Sequence, residues 1–356
     1  MIEKILAYIL ACCNNNEFDQ TTVALISENL KISRSQISVV LNKLVKENKL
    51  VRIESKPFCF ISVDYLKEKG IPYKDNAYTS IDELMSNQEK KDFEKLVGMN
   101  HSLAQTVKQC KATISYPPNG LPMLLYGPTG TGKSLIAKLT YEWARNQGVI
   151  AKDGQFIQVN CSEYANNPEL LTANLFGHVK GAFTGAEKDN EGLIALADNG
   201  VLFLDEVHEL KAECQEKLFL FMDQGIYHRV GDNEKWYKSN VRIVFATTEN
   251  PDKVLLKTLM RRIPMIITIP SLEQRGTQER IELLHDIFSQ EEKRLNCQIK
   301  MSSKVYNALL QSKMPGNIGQ LKSSVQSCCI NSLFDKVNDD LVIHLDSLPQ
   351  DLLQQV

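Results

Sequence analysis

Eight consecutive residues carry the clearest chemistry in this chain. Gly127, Pro128, Thr129, Gly130, Thr131, Gly132, Lys133 and Ser134 fit the pattern G-x-x-x-x-G-K-[ST] directly after the apolar run 121–126. That strand-to-helix setting is the one in which such a loop cradles phosphates. Glycines let the backbone fold tightly enough for its N–H groups to face phosphate oxygens, and the following helix adds its positive end. Lys133 is then placed to reach the β- and γ-phosphates, and Ser134 to hold Mg²⁺. The loop predicts ATP as ligand; a Gly-rich turn with no ligand is the alternative, and the context argues against it.

Two further clusters lie downstream. Residues 201–204 are four apolar positions ending in Asp205 and Glu206, 72 residues after Lys133. A buried strand would deliver both carboxylates to one edge of a sheet. Phosphoryl transfer depends mainly on positioning and charge neutralisation, which assigns Asp205 to the Mg²⁺ shell and Glu206 to orienting and deprotonating water. Between loop and acids lies Gly181-Ala182-Phe183-Thr184-Gly185-Ala186. Glycines around one aromatic and one hydroxyl suit a mobile loop that pushes an apolar tip against a partner.

The elements that position these residues follow from pattern. A chain of 356 residues with 43% apolar and 24% charged content is ordinary globular protein of two or three domains, and a net charge of −2 says little about partners. The nine cysteines include no C-x-x-C pair and read as reduced, buried side chains of a cytosolic protein. Residues 5–12 weakly resemble a lipoprotein cleavage site, but Ile2, Leu6, Ile9, Leu10 and Cys13 repeat at helical spacing and predict an amphipathic helix instead. No run reaches the ~18 apolar residues of a membrane span.

Residues 1–70 predict three helices and a hairpin. The second helix begins near Thr22 with Ala24, Leu25 and Leu30; the third is capped by Ser33 and Gln36 and carries Ile37, Val40, Leu41, Leu44 and Val45 on one face. Arg34, Ser35, Ser38, Asn42 and Lys46 are left facing outward. Runs 50–54 and 58–63 flank the turn Ser55-Lys56-Pro57, forming a wing. This pattern resembles a winged helix-turn-helix, with residues 33–47 as the element entering the major groove. Residues 31–56 hold seven Lys and Arg against two Asp and Glu, a concentration suited to phosphate contacts with promoter DNA. A solvated helix face or a protein-binding winged helix is the alternative.

Residues 71–92 read as a polar linker ending in a short charged helix. Over 93–270, β-prone runs at 121–126, 156–160, 201–204, 241–247 and 263–269 alternate with helical segments, which predicts an α/β core of parallel strands covered by helices. Beyond Pro270 the chain reads as wholly helical, a lid over 271–340 with helices near 277–295, 302–312 and 318–334, followed by a tail at 341–356.

The hexapeptide from Gly181 to Ala186 resembles the GAFTGA loop of the AAA+ bacterial enhancer-binding proteins, which remodel RNA polymerase carrying sigma-54. The resemblance covers residues 93–340 and implies an ATPase working as a homo-oligomeric, hexameric ring. It implies that Asn160 restrains the catalytic glutamate until the partner is met, and that Arg261 or Arg262 reaches a neighbouring subunit's nucleotide as an arginine finger. The sequence also departs from the family. Thr248 stands where Asn or His is usual in the sensor strand and is left to bond phosphate or water. Gly319 replaces the lid arginine after Pro315-Gly316-Asn317, with Lys322 nearby, and Leu255 replaces an upstream arginine. A DNA-binding unit ahead of the ATPase resembles the LevR-like activators of sugar phosphotransferase operons. Alternatives are an ATP-binding repressor with weak or no hydrolysis, and an AAA+ remodeller of another target such as a helicase loader; the first is opposed by Lys133, Asp205 and Glu206, the second by Phe183 and Thr184.

Overall fold

A computed structural model describes residues 2–69, 71, 73, 76–81, 84, 92–334, 336–337 and 340–355. The chain divides into two compact units, Met1–Lys91 and Asp92–Val356.

In the first unit, helices α1 (Ile2–Asn14), α2 (Val23–Leu30) and α3 (Arg34–Lys46) precede strands β1 (Leu50–Ile53) and β2 (Cys59–Ser62). The strands pair antiparallel, with Leu50 opposite Ser62 and Ile53 opposite Cys59. The buried stripe of α1 is Ile5, Ile9, Cys12 and Cys13, while Leu6 and Leu10 lie at its border. Helix α2 buries Ile26, leaves Leu25 and Leu30 half-buried and exposes Ala24, and Thr22 caps it by accepting from Leu25 N–H at 3.4 Å. In α3, Ile37, Val40, Leu41 and Leu44 pack inward, as their 3.6-residue period dictates. Ser33 accepts from Gln36 N–H at 3.4 Å and donates to the Gln36 side chain at 2.9 Å.

The stretch expected as a linker contains structure. Ala77–Tyr78 form β3, parallel to β1, with Arg52 opposite Ala77 and Ile53 opposite Tyr78. Tyr78 and Leu84 are buried in the same core. The short charged helix expected toward the end of that stretch lies largely outside the described residues.

The second unit is built on one parallel sheet. Helix α4 (Ala104–Ile114) leads to β4 (Met123–Tyr126), α5 (Lys133–Asn146), β5 (Phe156–Asn160), β6 (Val201–Asp205), α6 (Ala212–Gln224), β7 (Arg242–Thr247) and β8 (Met265–Thr268). The strand order is β8-β4-β7-β6-β5, all pairs parallel. Strands buried on both faces need side chains that are apolar at every position. Leu124, Leu202, Leu204 and Phe245 fill one face, and Met123, Leu125, Phe203 and Val244 the other. The ladder sets Asn160 opposite Asp205 and Tyr126 opposite Thr247 at the carboxyl edge, where open α/β sheets bind ligands.

The lid contains α7 (Gly276–Leu295), α8 (Ser303–Gln311) and α9 (Asn317–Asn331), and it is not wholly helical. Strand β9 (Ile299–Met301) runs parallel to β11 (Asp340–Ile343), which pairs antiparallel with β10 (Lys336–Val337). The segment expected as a tail belongs to this body: Leu341, Ile343, Leu348 and Leu352 are buried in the lid core beside Leu284 and Val325. Two short apolar runs some forty residues apart become strands only because each finds the other.

Candidate active site

The loop after β4 is held from both sides. Gly132, the residue that caps α5, has φ +98°, and Gly130 has φ +72°. A side chain at Gly130 is barred twice, since a Cβ would also sit 2.1 Å from the Gly316 carbonyl oxygen. Thr131 Oγ1 donates to Pro128 O at 2.8 Å and closes the turn.

Lys133 is buried at the first position of α5, and its ammonium donates to Gly127 O at 2.9 Å and Pro128 O at 3.2 Å. Burial pulls its pKa below the ordinary lysine value, with Glu206 and Asp205 opposing that shift. Ser134 Oγ donates to Asp205 Oδ2 at 2.8 Å, so hydroxyl and carboxylate already converge. Asp205 Oδ1 accepts from Glu206 N–H at 3.0 Å. Such a hydroxyl and carboxylate, beside a phosphate loop, are the hard oxygen donors that suit Mg²⁺.

Glu206 leaves the strand in the left-handed region, φ 51° and ψ 50°. A non-glycine residue there is uncommon, and such backbone clusters at functional sites. Its Oε2 accepts from Thr248 Oγ1 at 3.1 Å and lies 3.4 Å from His208 Nδ1. Among the described residues Asn160 makes no hydrogen bond to it. The Asn160 Oδ1 accepts from Ser162 N–H at 3.2 Å and Ser162 Oγ at 2.9 Å. The Asn160 carbonyl oxygen thus caps the turn after its own strand, and the Thr248 hydroxyl is the group on the glutamate.

Residues 129–134 of the loop, Asp205 and Glu206 line a cleft of about 560 Å³. Its other walls include Leu96, Val97, Leu283, Ile287 and Ile318, an apolar lining that fits a nucleobase, with Gly319 and Lys322 from the lid.

Three lid residues reach the phosphate loop. Asn317 Nδ2 donates to Thr129 O at 2.8 Å, Gly319 N–H to Gly130 O at 3.1 Å, and Arg275 Nη2 to Thr131 O at 2.8 Å. The Arg275 side chain is 1% exposed and sits 3.5 Å from Glu279, whose Oε1 also accepts from Ser102 at 2.9 Å. Burial lowers the Arg275 pKa from the ordinary arginine value, against the pull of Glu279. Sequence reasoning missed Arg275, Asn317 and His208. The resemblance drew the eye to segment 315–321, but only for the missing arginine.

The two finger candidates differ. Arg262 Nε donates to Asp223 Oδ1 at 2.7 Å and its guanidinium lies over the Phe219 ring at 5.3 Å. Arg261 is exposed and makes no ion pair or side-chain hydrogen bond among the described residues. Leu255 is buried in the core, as its apolar side chain requires.

The loop from Gly181 to Ala186 is closed by Gly181 N–H on Ala186 O at 2.9 Å, and Gly181 and Gly185 have φ +82° and +99°. Lys180 N–H on Asp189 Oδ1 at 2.8 Å braces its base. Ala182 is half-buried, Phe183 rests edge-on against His178 at 4.9 Å yet is 38% exposed, Thr184 is exposed, and Ala186 is buried.

A parallel five-stranded sheet with a phosphate loop after β4, an acidic pair at the end of β6 two strands away and a lid seated over the cleft defines an AAA+ ATPase core. Residues 96–266 match the family described as Sigma-54 interaction domain. The central domain of this chain belongs to that family of AAA+ ATPase domains.

The chain is 42% identical to the Transcriptional regulatory protein LevR of Bacillus subtilis (strain 168) across 93% of its length, and 36% identical to the Transcriptional regulatory protein DagR of Salmonella typhimurium (strain 14028s / SGSC 2262) across 86%. It spans 37% and 34% of those relatives' own lengths. It also resembles in fold the crystal structure of NtrX from Brucella abortus in complex with ATP, with TM-score 0.61 and 23% identity over 77% of this chain and 60% of that one.

Among the described residues no helix is long and apolar enough to cross a membrane.

Proposed function

We propose that this chain is a sigma-54-dependent transcription activator that hydrolyses ATP with Mg²⁺ to remodel sigma-54 RNA polymerase, at promoters of sugar phosphotransferase operons. The setting is the cytoplasm, where polymerase and promoter DNA are found. The observation that carries this reading is the joint presence of a phosphate loop converging on the Asp205-Glu206 pair and a separate exposed loop with Phe183 and Thr184 at its tip. Lys133 and the loop N–H groups of Gly130, Thr131 and Gly132 bind phosphates, Ser134 and Asp205 hold Mg²⁺, and Glu206 activates water. Bound Mg²⁺ neutralises charge on the transferring phosphoryl group. Arg261 completes a neighbour's site in a ring, hexameric as in the family; its exposure and its lack of an ion pair among the described residues support that assignment over Arg262.

The first unit is read as a winged helix bound to upstream promoter DNA. Arg34, Ser35, Asn42 and Lys46 are exposed on α3, Ser38 is half-buried there, and Lys56 is exposed on the hairpin turn. Lys43 and Lys49 are engaged by Glu47, at 3.7 and 3.2 Å, whereas Arg34, Lys46 and Lys56 make no ion pair among the described residues. Together with Lys31, likewise exposed and without an ion pair among the described residues, those three cations are available to phosphates.

A purified transcription assay on a sigma-54 promoter tests the whole. Phe183→Ala and Thr184→Ala are expected to keep ATP turnover within about twofold, as neither lines the cleft, while abolishing activation. Wild-type activation by either variant refutes the assigned contact.

A further inference from the structure

We infer that Asn317, Gly319 and Arg275 are positioning residues that set the phosphate cradle from behind, taking the place of the arginine that Gly319 lacks. The three lid donors meet three successive carbonyl oxygens, those of Thr129, Gly130 and Thr131. In a trans peptide the C=O of one residue and the N–H of the next point in opposite directions within one rigid plane. Fixing those carbonyls therefore fixes the N–H groups of Gly130, Thr131 and Gly132. None of these three makes a hydrogen bond among the described residues, which leaves them turned away from the lid contacts and free for an anion. A donor on each carbonyl also polarises its peptide, so that the opposite N–H binds negative charge more strongly.

The sequence accommodates this docking at each contact. Asn317 has φ +55°, a backbone conformation that Asn tolerates better than most residues, and its Oδ1 accepts from Leu272 N–H at 2.8 Å while Nδ2 serves the loop. Gly319 gives its backbone N–H, and a Cβ there would lie 3.3 Å from Gly130 Cα. Gly130 in turn has room for no side chain because of the Gly316 carbonyl. Arg275 is held by Glu279 at 3.5 Å and by Pro270 O at 3.3 Å. The lid thus acts on the phosphates through loop backbone, where an arginine would act by touching them.

The inference rests on a nucleotide occupying the cleft, and the experiment separates the two ideas. Asn317→Asp keeps the acceptor for Leu272 N–H and a residue that tolerates positive φ, but sets a carboxylate oxygen against Thr129 O. Gly319→Ala introduces the close Cβ and gives a second, milder disturbance. Both are titrated with fluorescent N-methylanthraniloyl-ADP, and with pyrophosphate and adenosine as competitors. Asn317→Asp is expected to weaken the fluorescent nucleotide and pyrophosphate at least tenfold, Gly319→Ala about threefold, with adenosine affinity unchanged. KM for ATP should rise while kcat stays within about twofold. Equal losses for adenosine and pyrophosphate would show a lid that has merely loosened, and unchanged affinities would show that the docking contacts do not act on the cradle; either overturns the inference. Absence of nucleotide binding by the wild-type protein overturns the nucleotide reading and this inference together.

Discussion

Replacing Lys133 by methionine separates the cation from the packing around it. Methionine keeps an apolar stem at a position that is 6% exposed, so little core volume is lost. Of the two carbonyls that the ammonium serves, Pro128 O retains the Thr131 hydroxyl at 2.8 Å and only Gly127 O loses its donor. One unsatisfied carbonyl costs about 1–3 kcal/mol. Opposing it, the variant no longer buries an ammonium whose pKa is pulled down by desolvation. The balance leaves folding stability within about 2 kcal/mol of wild type, a Tm shift of roughly 4–8 °C for a unit of this size. Binding changes far more. Two charge-assisted bonds to phosphate oxygens at about 1.5–3 kcal/mol each amount to about 3–6 kcal/mol, or two to four powers of ten in Kd. Calorimetric titration with ATP, alongside thermal unfolding of the same samples, checks both numbers. An affinity within threefold of wild type, in a variant whose Tm lies inside that window, would refute Lys133 as the phosphate-binding cation.

The finger assignment makes a mixing prediction. Glu206→Gln and Arg261→Ala subunits, each inactive alone, should regain turnover when combined, because an intact glutamate and an intact arginine then meet across some interfaces; no recovery in co-sedimenting oligomers rules out Arg261. Arg262→Ala should retain most turnover and lose at most about 1 kcal/mol of stability, the usual worth of a half-exposed ion pair such as that with Asp223. For the first unit, Lys46→Ala should weaken binding to the protein's own promoter fragment and reduce the salt slope by about one unit. An unchanged slope in titrations across salt concentrations places Lys46 off the DNA.

Much of the α/β core could be read directly from the sequence. Apolar runs that end in Gly127 and in Asp205 mark strands buried on both faces, and a strand so buried has no freedom in which residues it can use. The phosphate loop, the acidic pair and the loop from Gly181 to Ala186 are local: their chemistry lies in contiguous residues whose backbone demands glycine or whose charges must emerge at a strand end. Their assignment therefore needed no knowledge of what packs against them.

What only the tertiary structure decided involves residues brought together from far apart. Ala77–Tyr78 and Leu341 to Ile343 are too short to declare themselves strands, and they become so by pairing with Arg52 to Ile53 and Ile299–Met301. Asn160 was legible as a polar group at the right strand end, but the partner of its side-chain oxygen is set by the turn that follows, where Ser162 donates to it. Thr248 reaches Glu206 because β6 and β7 are neighbours in the sheet. Arg275 gives no sign in sequence that it differs from a solvated arginine. Its meaning comes from burial against Thr131 and Glu279, since a guanidinium removed from water must be matched by fixed acceptors. Gly319 reads in sequence as a missing arginine, and in the fold as the point where two backbones come close enough to bond.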